Sequence, residues 1–433
     1  MTARDSEQRD SDERTHAAPR RRAPYQPHCT KSPKPPNQCY APRAMERLPL
    51  FATATRGTEP FLAEELEALG CKRIRQDRGG VRFFAALDEL SRVLLHSRIA
   101  MRLLYPLRQF EAQGADGLYE AARSVPWEDW LGKGSTFSIE ATLKESEHTH
   151  SGFVALKLKD GLVDRLREKW GQRPDVDTRN PTFHVVAHLA KTQLSLSLDL
   201  SGEPLFKRGY RVKATAAPLK ETLAAAMLLA AKYDGSEPFV DPMCGSGTLA
   251  IEAGFIATRR APGLRRDFAC EQWPKFAPKL KPLLDDVRKE AFSLVRPAPA
   301  PLFARDYDEE VLAAARRNVV TAGLSTSVRL DLLDATKAPP PEGAPGLLCT
   351  NPPYGERLGT GGQKGMKSFF HALGTNLKTS WPGWRFAFLA GNEAFESALG
   401  MRPSSRLKVW NGPIACELLQ VAARTPRAPV TRT

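Results

Sequence analysis

From Leu48 onward the chain alternates between two apolar periods, and each change of period marks an element. LPLFATAT (48–55) reads as a strand. Phe61, Leu62, Leu66 and Leu69 then share one helical face, opened by Thr58 with Pro60 behind it and closed by Gly70. KRIRQD and VRFFAA flank Arg78-Gly79-Gly80 as a hairpin, and DELSRVLLHSRIAMRLL (88–104) has the spacing of a second amphipathic helix. The order strand, helix, two strands, helix predicts a small ferredoxin-like α+β unit. Strands follow at STFSIEATL (135–143), TFHVVAHLA (182–190) and the period-two TQLSLSLDL (192–200), with a helix over 153–170 between the first two.

Beyond Ala214 helices and strands take turns. Helix 219–233 precedes the buried strand EPFVD, and helix 247–261 follows it. Strand PLFARD precedes a helix that Asp308 caps and Gly323 closes. SVRLDLLD, GLLCT and RFAFLAG are further strands, with helix 365–381 before the last. RLKVWNGPIACELLQV carries Asn411-Gly412, a hairpin turn signal. This repeat predicts an α/β, doubly wound, mostly parallel sheet with an antiparallel hairpin at its edge.

At 433 residues the chain is too long for one core, and two or three domains are expected. Residues 1–44 are Arg- and Pro-rich (RRRAP, KSPKPP) with few aliphatic side chains, so they read as a disordered basic extension; Met45 is an alternative translational start. No apolar run is long enough for a membrane helix, and the N-terminus lacks the apolar stretch of a secretory signal. Seven scattered cysteines without a C-x-x-C pair fit reduced thiols in a cytoplasmic protein and no metal site. A net charge of +14 fits a polyanionic partner such as nucleic acid. The cations around helix 153–170, among them Lys144, Lys157 and Arg165, read equally as a solvated face or a phosphate-binding one.

Two motifs carry chemistry. Asp241-Pro242-Met243-Cys244-Gly245-Ser246-Gly247-Thr248 joins a strand to a helix, where open α/β sheets bind ligands. Gly245 and Gly247 allow a sharp bend and close approach of backbone to ligand. The loop lacks the lysine of a P-loop and the spacing of G-x-G-x-x-G. Its leading carboxylate opposes a pyrophosphate but suits a cationic amine, as in S-adenosylmethionine. Asp306 ends the next strand, where an acid accepts from ribose hydroxyls. Asp334 ends the one after, with Asp331 as the alternative partner for an adenine amine, because a shift of strand register exchanges them.

The second motif, Asn351-Pro352-Pro353-Tyr354, follows the fourth strand counted from that of Asp241, and so falls at the same edge of the sheet. An exocyclic amine on a base is a poor nucleophile because its lone pair is delocalised. The Asn351 side-chain oxygen and the Pro352 carbonyl are suited to accept both N–H bonds and aim that lone pair. The two prolines hold these acceptors still, and Tyr354 offers a stacking face for a flipped base.

FATATRGTEPFLAEELEALG, DLSGEPLFKRGYR, APLKETLAAAML, DPMCGSGTLAIEA, APGL (261–264), NPPYGERLG and WNGP together resemble the THUMP-containing class I RNA methyltransferases, nearest to the large-subunit rRNA guanine-N2 enzymes of the RlmL type. The resemblance covers most of 45–425. It implies a ferredoxin-like part (45–88), a THUMP domain (89–200), a linker (201–213), a methyltransferase domain (214–425) and a tail (426–433). It also implies S-adenosylmethionine as cofactor and structured rRNA, naked or in an assembling large subunit, as partner, with no obligatory protein partner and no membrane. Pro218, Lys220 and Thr222 would line the methionine end of the cofactor. Arg208 and Tyr210 match residues that brace the two halves, and with Lys144, Lys157 and Arg165 they count as candidate RNA contacts. Some members carry a second half that makes 7-methylguanine; the chain stops at Thr433, so that activity is expected to be absent. Related Asn-Pro-Pro-Tyr motifs serve adenine N6 and a glutamine amide. The alternatives are therefore an adenine N6 methyltransferase on RNA or a non-catalytic RNA-binding protein on this fold.

Overall fold

The computed structural model describes residues 47–212, 219–353, 362–391 and 394–423. The N-terminal half runs β1 (Leu48–Thr53), α1 (Glu59–Ala68), β2 (Lys72–Asp77), β3 (Gly80–Ala85), α2 (Leu87–His96) and β4 (Arg102–Glu111), then α3 (Gly114–Ser124), β5 (Thr136–Lys144), α4 (Ser151–Trp170), β6 (Asp175–Val176), β7 (Phe183–Ala190) and β8 (Gln193–Asp199). Its strands form one eight-stranded sheet in the order β2-β3-β1-β4-β8-β7-β5-β6. The first four strands have ferredoxin-like order, and the antiparallel β4–β8 pair joins them to the rest.

The helix expected over 88–104 is shorter, because α2 stops at His96 and the MRLL stretch enters β4. The cause is Glu65, half-buried in the second half of α1. Its carboxylate accepts from the Arg98 N–H (2.6 Å), the Ile99 N–H (3.3 Å) and the Ser97 hydroxyl (2.6 Å), drawing the two backbone donors out of the helical ladder. Burial pushes the Glu65 carboxyl above the usual range, and these three donors oppose that. Thr58 does precede α1, but its hydroxyl donates back to the Thr55 carbonyl and does not cap the helix.

The C-terminal half contains α5 (Glu221–Ala230), β9 (Phe239–Asp241), α6 (Thr248–Ala257), α7 (Ala277–Ser293), β10 (Leu302–Asp306), α8 (Glu309–Ala322), β11 (Val328–Leu332), β12 (Leu347–Thr350), α9 (Gly362–Ser380), β13 (Arg385–Ala390), α10 (Ala394–Leu399), β14 (Ser405–Asn411) and β15 (Ile414–Val421). The sheet order β11-β10-β9-β12-β13-β15-β14 is that of a Rossmann-like sheet. β9 to β13 are parallel, and the β14–β15 hairpin is antiparallel at the edge. Asp308 caps α8, accepting from the Glu310 and Val311 N–H groups, and Gly323 closes it at φ 72°.

The insertion before β10 ties the halves together. Leu280, Leu284, Val287 and Ala291 bury one face of α7, which packs against α2. Trp273, just before α7, stacks on Phe183 of β7 with ring centroids 4.8 Å apart. A second tie is the tip of the β14–β15 hairpin. The Trp410 N–H donates to the Arg56 carbonyl (3.2 Å), and the Arg56 guanidinium lies 3.7 Å over the Trp410 ring. No helix among the described residues is long and apolar enough to cross a membrane.

Candidate active site

Three neighbouring parallel strands, β10, β9 and β12, deliver the chemistry-bearing residues to one edge. Register pairs Ala304 with Asp241 and Leu348 with Val240, so Asp241, Asp306 and Asn351 all leave the sheet at its carboxyl end. Asp241 ends β9 and is 2% exposed. Burial pushes its carboxyl up to about 7; the Met243 N–H (3.3 Å) opposes the shift and the charge of Asp306 adds to it. The Thr350 hydroxyl also favours the charged form, although it stands outside good hydrogen-bonding geometry.

The loop after Asp241 folds back on β10. The Cys244 N–H donates to the Arg305 carbonyl (2.8 Å), and the Gly245 N–H to the Asp306 carboxylate (3.0 Å). Gly245 (φ 53°) and Gly247 (φ 85°) both adopt the left-handed conformation, and Gly247 precedes the first turn of α6, which Thr248 begins. Pro242 is buried. Burial pushes the Cys244 thiol well above its ordinary range, so it is not a nucleophile at neutral pH.

A clamp on this loop was not legible in the sequence. Arg211 donates to the hydroxyls of Ser246 and Thr248, to the Glu221 carboxylate (2.9 Å) and to the Leu219 carbonyl (3.0 Å). Asn318 of α8 adds a bridge. Its amide donates to the Ser246 carbonyl, and its oxygen accepts from the Val212 N–H, both at 2.9 Å. The partners of Arg211 lie up to 37 residues away, so only the RGYR run itself was there to be seen.

Asp306 ends β10, nearly buried, and burial raises its carboxyl. Asp334 lies two residues past β11. Its Oδ1 accepts from the Thr336 N–H and hydroxyl, and its Oδ2 faces the Lys337 ammonium at 3.9 Å. The alternative, Asp331, faces Arg305 (3.5 Å) and Arg329 (2.9 Å). Asn351 and Pro353 are half-buried and Pro352 is buried. Thr222 is buried in the first turn of α5, and its hydroxyl has no hydrogen-bond partner among the described residues. The Lys220 ammonium stands 5.2 Å from the Phe206 ring centroid. Tyr354 and Pro218 lie outside the described residues.

Arg208 and Tyr210, expected as RNA contacts, lie in the junction between the two halves. Both are at most 5% exposed. Arg208 donates to the Leu205 and Arg98 carbonyls, and its Nε lies 3.6 Å from the fully buried Glu252 of α6, which also accepts from the Tyr210 hydroxyl (3.3 Å). They brace the junction, and both also line a cavity of about 220 Å³ there. Arg165 is likewise engaged, in a two-pronged pair with Glu128 (2.6 and 2.8 Å). Lys144 is exposed and Lys157 half-buried, the latter's ammonium 5.9 Å from the Phe153 ring centroid.

Known proteins share this arrangement. Residues 208–420 match the RMKL-like methyltransferase domain, 112–199 the THUMP domain and 49–104 the RlmL ferredoxin-like domain, which here takes in α2. A putative RNA methyltransferase of Synechocystis sp. is 36% identical over 86% of this chain and 96% of its own. The chain belongs to the RMKL-like, THUMP-containing methyltransferases. The ribosomal RNA large subunit methyltransferase K/L of Syntrophotalea carbinolica is 39% identical over 88% of this chain and 55% of its own. The chain thus spans about half the length of such relatives. Among solved structures, SMU.472, a putative methyltransferase complexed with SAH, superposes with a TM-score of 0.78 at 30% identity, covering 88% of this chain and 99% of its own.

Proposed function

We propose that the protein transfers a methyl group from S-adenosylmethionine to the exocyclic N2 amine of a guanine in large-subunit rRNA. The observation that carries this is the emergence of Asn351-Pro352-Pro353 from β12 directly beside the β9 strand that ends in Asp241. An amine-aligning motif and a cofactor loop thereby share one edge.

The residues present suit the cofactor. Asp241 and Asp306 provide carboxylates for a cationic amine and for ribose hydroxyls, Asp334 retains an acceptor oxygen, and the Thr222 hydroxyl is buried without a partner among the described residues. When bound, S-adenosylmethionine supplies a methyl group activated by its sulfonium. The protein's part is alignment. The Asn351 oxygen and Pro352 carbonyl accept the two N–H bonds of the target amine, which localises its lone pair toward the methyl. As the N–C bond forms the amine becomes cationic and loses one proton to solvent, so no charged general base is required. The N-terminal half docks the RNA, in keeping with a net charge of +14.

Asn351→Ala is expected to abolish methyl transfer while cofactor binding by calorimetry survives; full activity would refute the assignment. Mass spectrometry of nucleosides from large-subunit rRNA, with and without the gene, identifies the base. Loss of N2-methylguanosine supports this reading. Loss of N6-methyladenosine would favour the adenine alternative, whose target presents the same planar NH2; one similar structure, from Listeria monocytogenes, is titled a predicted N6-adenine-specific DNA methylase.

A further inference from the structure

The opposite edge of the methyltransferase sheet carries a groove that the reaction does not use. Three adjoining cavities of about 1020, 220 and 390 Å³ lie there, and Arg260 lines all three. The largest sits where β10 and β11 begin, at the paired residues Leu302 and Val328. Asp306 is four residues farther along β10, so the groove is roughly 13 Å behind the cofactor edge at strand rise. One wall is the proline-alternating run Pro297-Ala298-Pro299-Ala300-Pro301, which is stiff.

The charge of this groove is one-sided. Among the described residues, no carboxylate lines any of the three cavities. Arg288, Lys289 and Arg329 have acidic partners nearby. Arg260, Arg265 and Arg296 have none among the described residues. Each is held only by backbone carbonyls: Arg260 by Gly323 (3.4 Å), Arg265 by Thr321 (2.6 Å) and Arg296 by Ala257 (3.4 Å). Carbonyls at the end of α8 explain part of this, since cations suit a helix C-terminus. They do not explain why two guanidiniums converge there. An ideal Cβ on Gly323 would lie 2.9 Å from one and 3.3 Å from the other. Burial and the charge of Arg265 together hold Arg260 below its ordinary range, so the pair repel one another. Beside them Phe292 of α7 is 72% exposed, a large aromatic face at the mouth of the third cavity.

We propose that this groove is a second RNA-docking surface, in which Arg260, Arg265 and Arg296 engage backbone phosphates and Phe292 stacks on an unpaired base. Unpaired cations with an aromatic beside them match single-stranded nucleic acid, whose phosphates supply the missing counter-charge. A protein ligand would need acidic residues at a spacing that matches three cations, whereas a nucleic-acid backbone carries such charges at regular intervals. The inference rests on the RNA-substrate reading and deepens it: the RNA is held both at the N-terminal half and behind the catalytic sheet. Because the groove touches no reacting atom, it contributes affinity and not rate.

The test uses the full chain and an unmodified large-subunit rRNA transcript, with affinity measured across a salt series. Arg265→Gln with Arg296→Gln is expected to weaken binding roughly tenfold and to lower the slope of log K against log salt by about two, one for each phosphate no longer neutralised. KM for RNA should rise while kcat at saturating RNA and the cofactor dissociation constant hold. Phe292→Ala should weaken binding with no change in slope, because stacking releases no counterion. Arg296→Gln alone, at an exposed position, serves if the double variant does not fold, with a slope change of about one. Wild-type affinity and slope in all of these variants would overturn the inference and leave the RNA reading intact. Failure of the unaltered protein to bind the transcript would overturn both.

Discussion

Arg211 donates to the Ser246 hydroxyl at 3.0 Å, tying the segment that leaves the N-terminal half to the second residue before the helix of the cofactor loop. The same guanidinium reaches Thr248 and Glu221, so one side chain fixes the loop against both flanking helices. Arg211→Ala is expected to raise the cofactor dissociation constant at least tenfold, since a charged hydrogen bond contributes about 1.5–3 kcal/mol. Arg211→Lys should recover little, because an ammonium cannot reproduce the fork. Calorimetric titration with S-adenosylmethionine checks both, and unchanged affinity in the alanine variant would remove Arg211 from the site.

Asp241 carries a pH dependence whose sign follows from its raised carboxyl. Its folded value, about 7, lies above the ordinary 3.8, so the folded protein holds a proton that the unfolded chain releases. Its contribution to stability is therefore full below about pH 4 and is lost as pH rises toward 7. A bound cationic amine needs the charged form. Cofactor affinity should thus climb about tenfold from pH 6 to pH 8, with proton release on binding below pH 7. Calorimetry in two buffers of different ionisation enthalpy measures that proton, and Asp241→Asn should flatten both profiles.

Glu252 is fully buried between Arg208 and the Tyr210 hydroxyl. Glu252→Ala leaves the Arg208 guanidinium buried without its counter-charge, and is expected to lower stability by about 3–5 kcal/mol. A fall in denaturant midpoint at constant slope is the readout. A change below about 1 kcal/mol would show the pair to be incidental.

Gly57 and Gly79 form a matched pair. Both have positive φ, 91° and 80°. A Cβ at Gly79 meets nothing within 4 Å, whereas at Gly57 it lies 2.1 Å from the Lys408 carbonyl. Gly79→Ala should cost about 1–2 kcal/mol for backbone alone. Gly57→Ala should cost about 1–3 kcal/mol more, because the hairpin tip must shift. Equal melting temperatures for the two variants would show that the tip is not seated on Arg56 and Gly57.

The elements that the sequence made plain are those whose cause is local. Asp308 and Gly323 delimit α8 with groups inside or next to the helix, and the hairpin signalled by Asn411-Gly412 joins β14 to β15, with Asn411 ending β14 and Gly412-Pro413 making the turn. The end of α2 was not visible, because Glu65 imposes it from 32 residues upstream. β4, whose start lay inside the overlong helix, is fixed by its pairing with β1 and β8. The candidate site divides the same way. The glycines and Asp241 announce themselves by their order in one loop. Arg211, Asn318 and Thr350 enter only through folding, and the burial of Arg208 and Tyr210 was signalled only by the resemblance that marks them as braces.

The single sheet that runs from β2 to β6 has a metrical consequence. Because β4 bonds to β8, and α7 and the hairpin tip pin that sheet to the methyltransferase half, the reach between any face of the N-terminal half and Asn351 is fixed when the chain folds. On the proposed reading the protein then acts as a calliper. It selects its nucleotide by span from an anchoring feature. An RNA lengthened by one base pair between anchor and target would be held as tightly, and would offer the wrong base.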